Sequence, residues 1–196
     1  IYGNDRYIYQ YISEKYPEDE IKFDISQIKL VTLDIEVASE HGFPDVESCA
    51  EEILAISIQD YTTKQITTWG SKPFENNRKD VTYYHCPTEH QLLSSFINYW
   101  MEDVPDVITG WNIQLYDIPY IARRIQRILG EKLMKRLSPW GLVSEGETFI
   151  KGRRHITFDV GGVCQLDYLD LYKKFTYKAQ ESYRLDYIAS VELGQK

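Results

Sequence analysis

The chain has 196 residues, is 43% hydrophobic and 14% aromatic, and carries a formal net charge of -8, which is enough apolar material for one domain with an appendage. Such acidity argues against a general nucleic-acid coat, which needs clustered Lys and Arg, but not against an enzyme that meets nucleic acid through bound metals and a few local cations. No apolar run reaches membrane-spanning length, and Cys49, Cys86 and Cys164 are too scattered for a zinc site, so reduced thiols in a cytosolic-type environment are expected.

The opening residues, IYGNDRYIYQ, lack an initiator Met and a signal-peptide pattern, as a piece of a longer protein would. Residues 1–28 are rich in Tyr, with a turn expected over Pro17 to Glu20, and read as short strands or a hairpin at the tail of a preceding domain. Lys29 to Val37 (KLVTLDIEV) then has the β-branched character of a strand. Two acids two residues apart, Asp34 and Glu36, share one face about 7 Å apart, while Leu33, Ile35 and Val37 share the other. Like charges on one face of a buried strand are costly unless water, hydrogen bonds or a cation compensates them, and a divalent metal is the simplest compensation. Taken alone, Asp-x-Glu is more often the wet face of an edge strand.

After a loop carrying Gly42, Phe43 and Pro44, strands over 53–60 and 65–69 complete an antiparallel meander with 29–37. Phe43 is either a local packing anchor or a base-stacking platform. VTYYHC, from Val81, reads as a further strand. Thr88 with Gln91 opens a helix whose buried stripe is Leu92, Leu93, Phe96, Ile97 and Trp100. Val107 and Ile108 make a short strand, broken at Gly110. Asp117 is placed to cap a helix in which Ile118, Ile121, Ile125, Ile128 and Leu129 recur until Gly130. The basic set Arg123, Arg124, Arg127, Lys132, Lys135 and Arg136 reads as a mostly solvated face, part of which approaches nucleic acid. Residues 147–160 read as a β-hairpin with its turn near Lys151-Gly152 and Arg153, Arg154 and His155 beside it. Asp167 and Asp170 are expected as structural groups around the strand QLDYLDLY, and Asp186 in the first turns of a terminal helix.

These motifs carry a resemblance. Asp34-Ile35-Glu36 after an apolar strand, GWN at 110–112 and Tyr116-Asp117 resemble the first two motifs of the 3′-to-5′ exonuclease domain of family B DNA polymerases. GFP at 42–44, RLSP at 136–139, LDYLDLYKKF at 166–175 and SYRLDYI at 182–188 resemble the replicative polymerases of T-even-type bacteriophages, from about residue 21 onward. The resemblance implies an RNase H-like α/β fold, a mixed central sheet flanked by helices with a protruding β-hairpin. It also implies two divalent metal ions, Mg²⁺ or Mn²⁺, held by four acids, with Asp34, Glu36 and Asp117 as three of them. Asn112 matches the amide near the scissile phosphate, Tyr116 the aromatic before the second-motif acid, and Phe43 the loop aromatic that stacks on frayed terminal bases. Arg153 and Arg154 lie in the hairpin that helps part primer from template, and phosphate is the other contact open to them.

Hard carboxylate oxygens from separate segments suit that chemistry, because two metals activate a water and neutralise the leaving 3′ oxygen of a phosphodiester. The third motif, Tyr-x-x-x-Asp, is not found after the second; Tyr99 to Asp103 has the spacing but precedes it. The expectation is therefore residues 1–28 as the end of a preceding domain and 29–196 as a proofreading exonuclease domain, cut before its third motif and poorly active alone. Its partners are the single-stranded 3′ end of a DNA primer and the remaining polymerase domains of the same chain. A monomer without membrane attachment, in the cytoplasm of an infected bacterial host, is expected. A non-catalytic nucleic-acid-binding or interaction module on the same fold is the alternative.

Overall fold

The computed structural model of the chain describes residues 7–17, 24–40 and 42–194. Its first element corrects the reading of the N-terminal region, because Tyr7–Lys15 is a helix, α1, and not a strand. The richness in tyrosine suggested extended segments, yet Tyr9 and Tyr11 are both exposed. Gln10 and Glu14 stand one helical turn apart, and the Gln10 amide donates to Glu14 Oε1 at 2.9 Å. Most of the turn expected over Pro17 to Glu20 falls outside the described residues.

Strands β1 (Leu30–Val37), β2 (Ile53–Asp60) and β3 (Ile66–Gly70) form the expected antiparallel meander, with Asp34 opposite Ser57 and Ile35 opposite Ile56. The fourth strand, β4 (Val81–His85), joins β3 in parallel. On the other side β5 (Val107–Gly110) and then β8 (Cys164–Asp167) add in parallel, giving the mixed order β4-β3-β2-β1-β5-β8. Between β5 and β8 the chain makes helix α3 (Asp117–Leu129), a short α4 (Glu131–Met134) and a separate hairpin of β6 (Val143–Ile150) and β7 (Arg153–Val160). The hairpin begins earlier than the expected 147 and carries its turn at Lys151-Gly152, as expected.

Strand β1 alternates as its sequence dictates: Val31, Leu33 and Ile35 are buried, whereas Thr32, Asp34 and Glu36 are exposed. The apolar face meets α2 (Glu89–Glu102) and α3, whose Leu92, Leu93, Phe96, Ile97, Ile121 and Ile125 are almost fully buried. Trp69 of β3 sits in this core, edge-on to Phe96 with ring centroids 5.5 Å apart, and its indole N–H donates to Ser95 Oγ at 2.9 Å. Ile156, Phe158 and Val160 root the hairpin in the same core.

The strand expected over QLDYLDLY stops at Asp167. Its carboxylate accepts from Leu169 N–H at 2.9 Å and starts helix α5 (Tyr168–Phe175), a capping role that ends the strand. Asp186 lies in the first turn of the last helix, α6 (Leu185–Leu193), as expected. Leu30 and Thr32, which share the face of Asp34, line an apolar groove with Tyr168, Leu171 and Leu185, so α5 and α6 stand on the acidic side of the sheet. A mixed sheet with helices on both faces and a separate hairpin is the RNase H-like arrangement. Among the described residues no helix is long and apolar enough to cross a membrane.

One buried ion pair fastens the two core helices to the sheet. The Arg124 guanidinium of α3 forks onto Glu89 of α2, with Nε to Oε1 at 2.7 Å, and both side chains are 5% exposed. Glu89 Oε1 also accepts from Ile53 N–H at 2.9 Å, and Arg124 Nη1 donates to the Cys49 carbonyl at 2.9 Å. Removing one partner strands a charge in the core. Arg124→Met is therefore expected to cost about 3–5 kcal/mol in urea unfolding. Combining it with Glu89→Gln should restore part of that loss, because the stranded carboxylate is then gone.

Candidate active site

Asp34 and Glu36 project from the open face of β1, and a bulge in the pairing with β2 follows Glu36. Asp117 comes to them from across the sheet. It is the first residue of α3 and not its cap: Tyr116 occupies the cap position, and no side-chain hydrogen bond closes that helix end. The Asp117 side chain instead turns to the strand, where Oδ1 accepts from Ile35 N–H at 3.1 Å. Pairing of β5 with β1 runs only from Leu30 to Thr32, so beyond it the Ile35 amide needs another acceptor, and the Asp117 carboxylate supplies one.

This approach depends on Gly110 at the end of β5. A Cβ there would lie 2.5 Å from the Leu33 carbonyl oxygen and 2.5 Å from Ile113 Cγ2, so only glycine lets the chain turn this close to β1. Asn112 follows in a left-handed conformation, φ 65°. Asp167 holds that turn, because its two carboxylate oxygens accept from the Asn112 amide at 3.0 Å and the Gln114 amide at 3.1 Å.

The acids carry the electrostatic mark of crowding. Asp117 is 3% exposed, and burial first, then the charge of Asp34, push its carboxyl up to about 7; Asp167 adds to the rise. Asp34 is raised in the same direction by partial desolvation and by Glu36. Burial likewise drives the Tyr116 phenol well above its ordinary value, so it stays a neutral donor. Hard carboxylates on two elements, with Glu36 acting on Asp34 and Asp34 on Asp117, suit a divalent ion. Among the described residues, however, no three His, Cys, Asp or Glu groups converge closely enough to enclose one. Asp167, the nearest further acid, is committed to backbone amides.

A cleft of about 370 Å³ is lined among others by Phe43, Glu47, Asn112, Tyr116, Arg154 and His155; Tyr116 precedes Asp117 in the chain, but Asp34, Glu36 and Asp117 do not themselves line it. Phe43 is 85% exposed, and its ring lies 5.5 Å from that of Tyr116 at 42°. Arg154 reaches the cleft from the hairpin, held by Glu47 at 2.7 Å and Glu147 at 2.5 Å. Arg153, its expected companion, is exposed opposite Ile150 and does not line the cleft. The structure thus gathers Phe43, Asn112, Tyr116 and Arg154 around one space.

The sequence reading overlooked the anchors of that space. Glu47 carries no motif that singles it out in the sequence, and Asp167 was expected to be structural without a partner named. Arg123, Arg124 and Arg127 were read as solvated, yet all three donate to carbonyls of residues 46–50. Such contacts join segments more than 70 residues apart and leave no periodic signal in the sequence.

The family described as DNA polymerase family B, exonuclease domain, matches residues 6–188. The DNA-directed DNA polymerase of Escherichia phage RB69 is 34% identical over 219 residues, which cover 98% of this chain and 24% of that protein. That of Enterobacteria phage T4 is 34% identical over 209 residues, covering 93% of the chain and 23% of the relative. The DNA polymerase catalytic subunit of Human herpesvirus 6B (strain Z29) is 27% identical over 179 residues, 84% of the chain and 17% of that protein. The chain spans about a quarter of the length of the two phage relatives. With its paired strand acids, helix-start Asp117 and aromatic cleft, this chain belongs to the exonuclease domain family of the family B DNA polymerases.

Proposed function

We propose that the chain acts as a proofreading 3′-to-5′ exonuclease, hydrolysing 3′-terminal nucleotides from single-stranded or frayed primer DNA. The observation that carries this reading is the Ile35 N–H to Asp117 Oδ1 bond of 3.1 Å, which brings the helix acid to the strand that bears Asp34 and Glu36. In this reading residues 29–196 are the exonuclease unit and 1–28 belong to a preceding domain. The other partners are the remaining polymerase domains, and the setting is the cytoplasm of an infected bacterial host.

Asp34, Glu36 and Asp117 would hold two divalent cations, Mg²⁺ or Mn²⁺. Such cations lower the pKa of an attacking water and neutralise charge on the departing 3′ oxygen. The rest is the work of the chain. Phe43 offers its exposed face to the terminal base, Tyr116 backs that ring, and Asn112 presents its amide to the sugar-phosphate next to the bond that breaks. Arg153 and Arg154 lie in the hairpin that helps part primer from template, with phosphate as the alternative contact; Arg154 is paired with Glu47 and Glu147, so Arg153, exposed nearer the hairpin tip, is the freer of the two for phosphate. Because Asp167 is committed to backbone amides, the fourth acid of the family would come from a Tyr-x-x-x-Asp segment, and activity is expected to be low without it.

The test is release of 3′-terminal nucleotides from 5′-labelled single-stranded DNA with Mg²⁺ or Mn²⁺. It compares this chain with one extended through the next Tyr-x-x-x-Asp, each with and without Asp34→Ala. The extended chain is expected to cut and the Ala variant to lose about 10²–10³-fold, of the order seen when charge stabilisation of a transition state is removed. If neither form cuts, the assignment fails and a binding module is the better description.

A second prediction follows from Asp117. Its folded carboxyl titrates near 7, above the ordinary value of 3.8, so the metal-free fold favours the protonated form. The contribution to stability is intact below about 4, is lost as pH rises toward 7, and amounts to at most about 4 kcal/mol. Asp117→Asn should therefore raise the metal-free Tm at pH 8 and leave it little changed at pH 4. Mn²⁺, which needs the ionised acid, should stabilise the parent chain increasingly through pH 7 and the Asn variant far less. Thermal unfolding at the two pH values, with and without Mn²⁺, reads both effects.

A further inference from the structure

The loop that carries Phe43 connects β1 to β2 across residues 38–52, a length at which a connection needs its own fastening. Part of that fastening is local: Asp45 caps the turn by accepting from Ser48 N–H at 2.7 Å, and Cys49 N–H donates to the Asp45 carbonyl at 2.9 Å. The rest comes from α3. Arg127 donates to the carbonyls of Ser48 at 2.6 Å and Cys49 at 2.5 Å, and Arg124 holds Cys49 while committed to Glu89. Arg123 takes the part of the loop nearest Phe43. Its Nη1 donates to the Val46 carbonyl at 3.2 Å and the Glu47 carbonyl at 2.6 Å, and its Nη2 pairs with Glu145 Oε1 of β6 at 2.8 Å.

Three consequences meet at this one side chain. Arg123 is six residues along the same helix from Asp117, so its grip sets the loop against the element that carries an acid of the site. Val46 and Glu47 line the cleft, and Glu47 in turn holds Arg154 of the hairpin at 2.7 Å. With 19% of its side chain exposed, the guanidinium is occupied by two carbonyls and a carboxylate and is not offered to phosphate. A planar fork suits this task where a point charge does not, because two carbonyls and one carboxylate lie in different directions from it.

We propose that Arg123 is the positioning residue for the 3′-terminal base: through the carbonyls of Val46 and Glu47 and the carboxylate of Glu145, it fixes the Phe43 loop and the hairpin against helix α3. The proposal rests on the reading of Phe43 as a base platform. Arg123 itself touches neither base nor phosphate. Its loss frees the loop and costs the pre-organisation of the Phe43 and Tyr116 ring pair, now 5.5 Å apart.

The experiment measures binding of two single-stranded DNA oligonucleotides by fluorescence anisotropy, in Ca²⁺. One ends in a normal 3′ nucleotide and the other in a 3′ abasic nucleotide. The parent chain is expected to prefer the normal end by about tenfold, the value of one base stacked on an aromatic ring. Arg123→Met should reduce that preference to about twofold while leaving the dependence of binding on salt unchanged. Phe43→Ala should reduce it similarly, and the double variant should be no worse than Phe43→Ala alone. Arg123→Lys, which keeps the charge and serves if the Met variant does not fold, should lose at least half of the preference.

An Arg123 variant that keeps the full preference, while Phe43→Ala loses it, overturns the proposal and leaves the platform reading intact. Equal weakening of both oligonucleotides, or a salt slope smaller by about one, overturns it too, since these mark general loosening and a phosphate contact respectively. If Phe43→Ala leaves the preference unchanged, or the parent has none, the platform reading fails and this proposal falls with it.

Discussion

The hydrogen bond from Ile35 N–H to Asp117 Oδ1 joins positions 82 residues apart, and the proposed site turns on it. Strand β5 accompanies β1 only as far as Thr32, and there the two diverge. In the gap a side chain of the next helix takes over the role of a strand, accepting an amide from the middle of β1. The carboxylate is thereby buried beside two other acids, at a cost visible in its raised pKa. Burying a repelled acid where an apolar residue would be more stable is consistent with the proposed role of Asp117 as a metal ligand.

Around that bond the fold supplies two layers of support. Gly110 and the left-handed Asn112 let the chain turn within contact of β1, and Asp167 pins the turn through two backbone amides. On the far side, the arginines of α3 bind the loop that follows the acids. The same helix therefore presents an acid at its first residue and holds, about two to three turns later, the loop that walls the cleft. Helix, loop and hairpin are linked through Arg123, Glu145, Glu47 and Arg154, so that the aromatic face and the acids belong to one connected frame.

Much of this was legible in the residues, and what was not has a common cause. The alternation in KLVTLDIEV dictated which face carries Asp34 and Glu36, and the structure keeps that alternation through the whole strand. The meander, the α2 stripe and the terminal helix likewise follow from local periodicity and capping. Asp117 was placed one position off, as a cap, because capping is what an Asp at a helix start does in isolation; the unpaired Ile35 amide that claims it lies elsewhere in the sequence. The tyrosine content of 1–28 misled because the β-preference of Tyr9 and Tyr11 has no buried surface to act on where both side chains are exposed. Arg123 and Arg127 misled because a long cation in a helix looks solvated until the carbonyls it meets, over 75 residues away, are in view.

The central claim is that Asp34, Glu36 and Asp117 act as one cation site assembled from two elements. The most direct measurement is Mn²⁺ binding at pH 8 followed by electron paramagnetic resonance, which distinguishes free from bound ion, for the parent chain and for Asp34→Asn, Asp117→Asn and Asp186→Asn. The account predicts binding that Asp34→Asn and Asp117→Asn each weaken at least about tenfold, while Asp186→Asn, at an exposed acid of α6 paired with Arg184, leaves it unchanged. Binding that survives Asp117→Asn in full, or that falls equally with Asp186→Asn, would contradict it, because Mn²⁺ would then be held by the acidic surface at large.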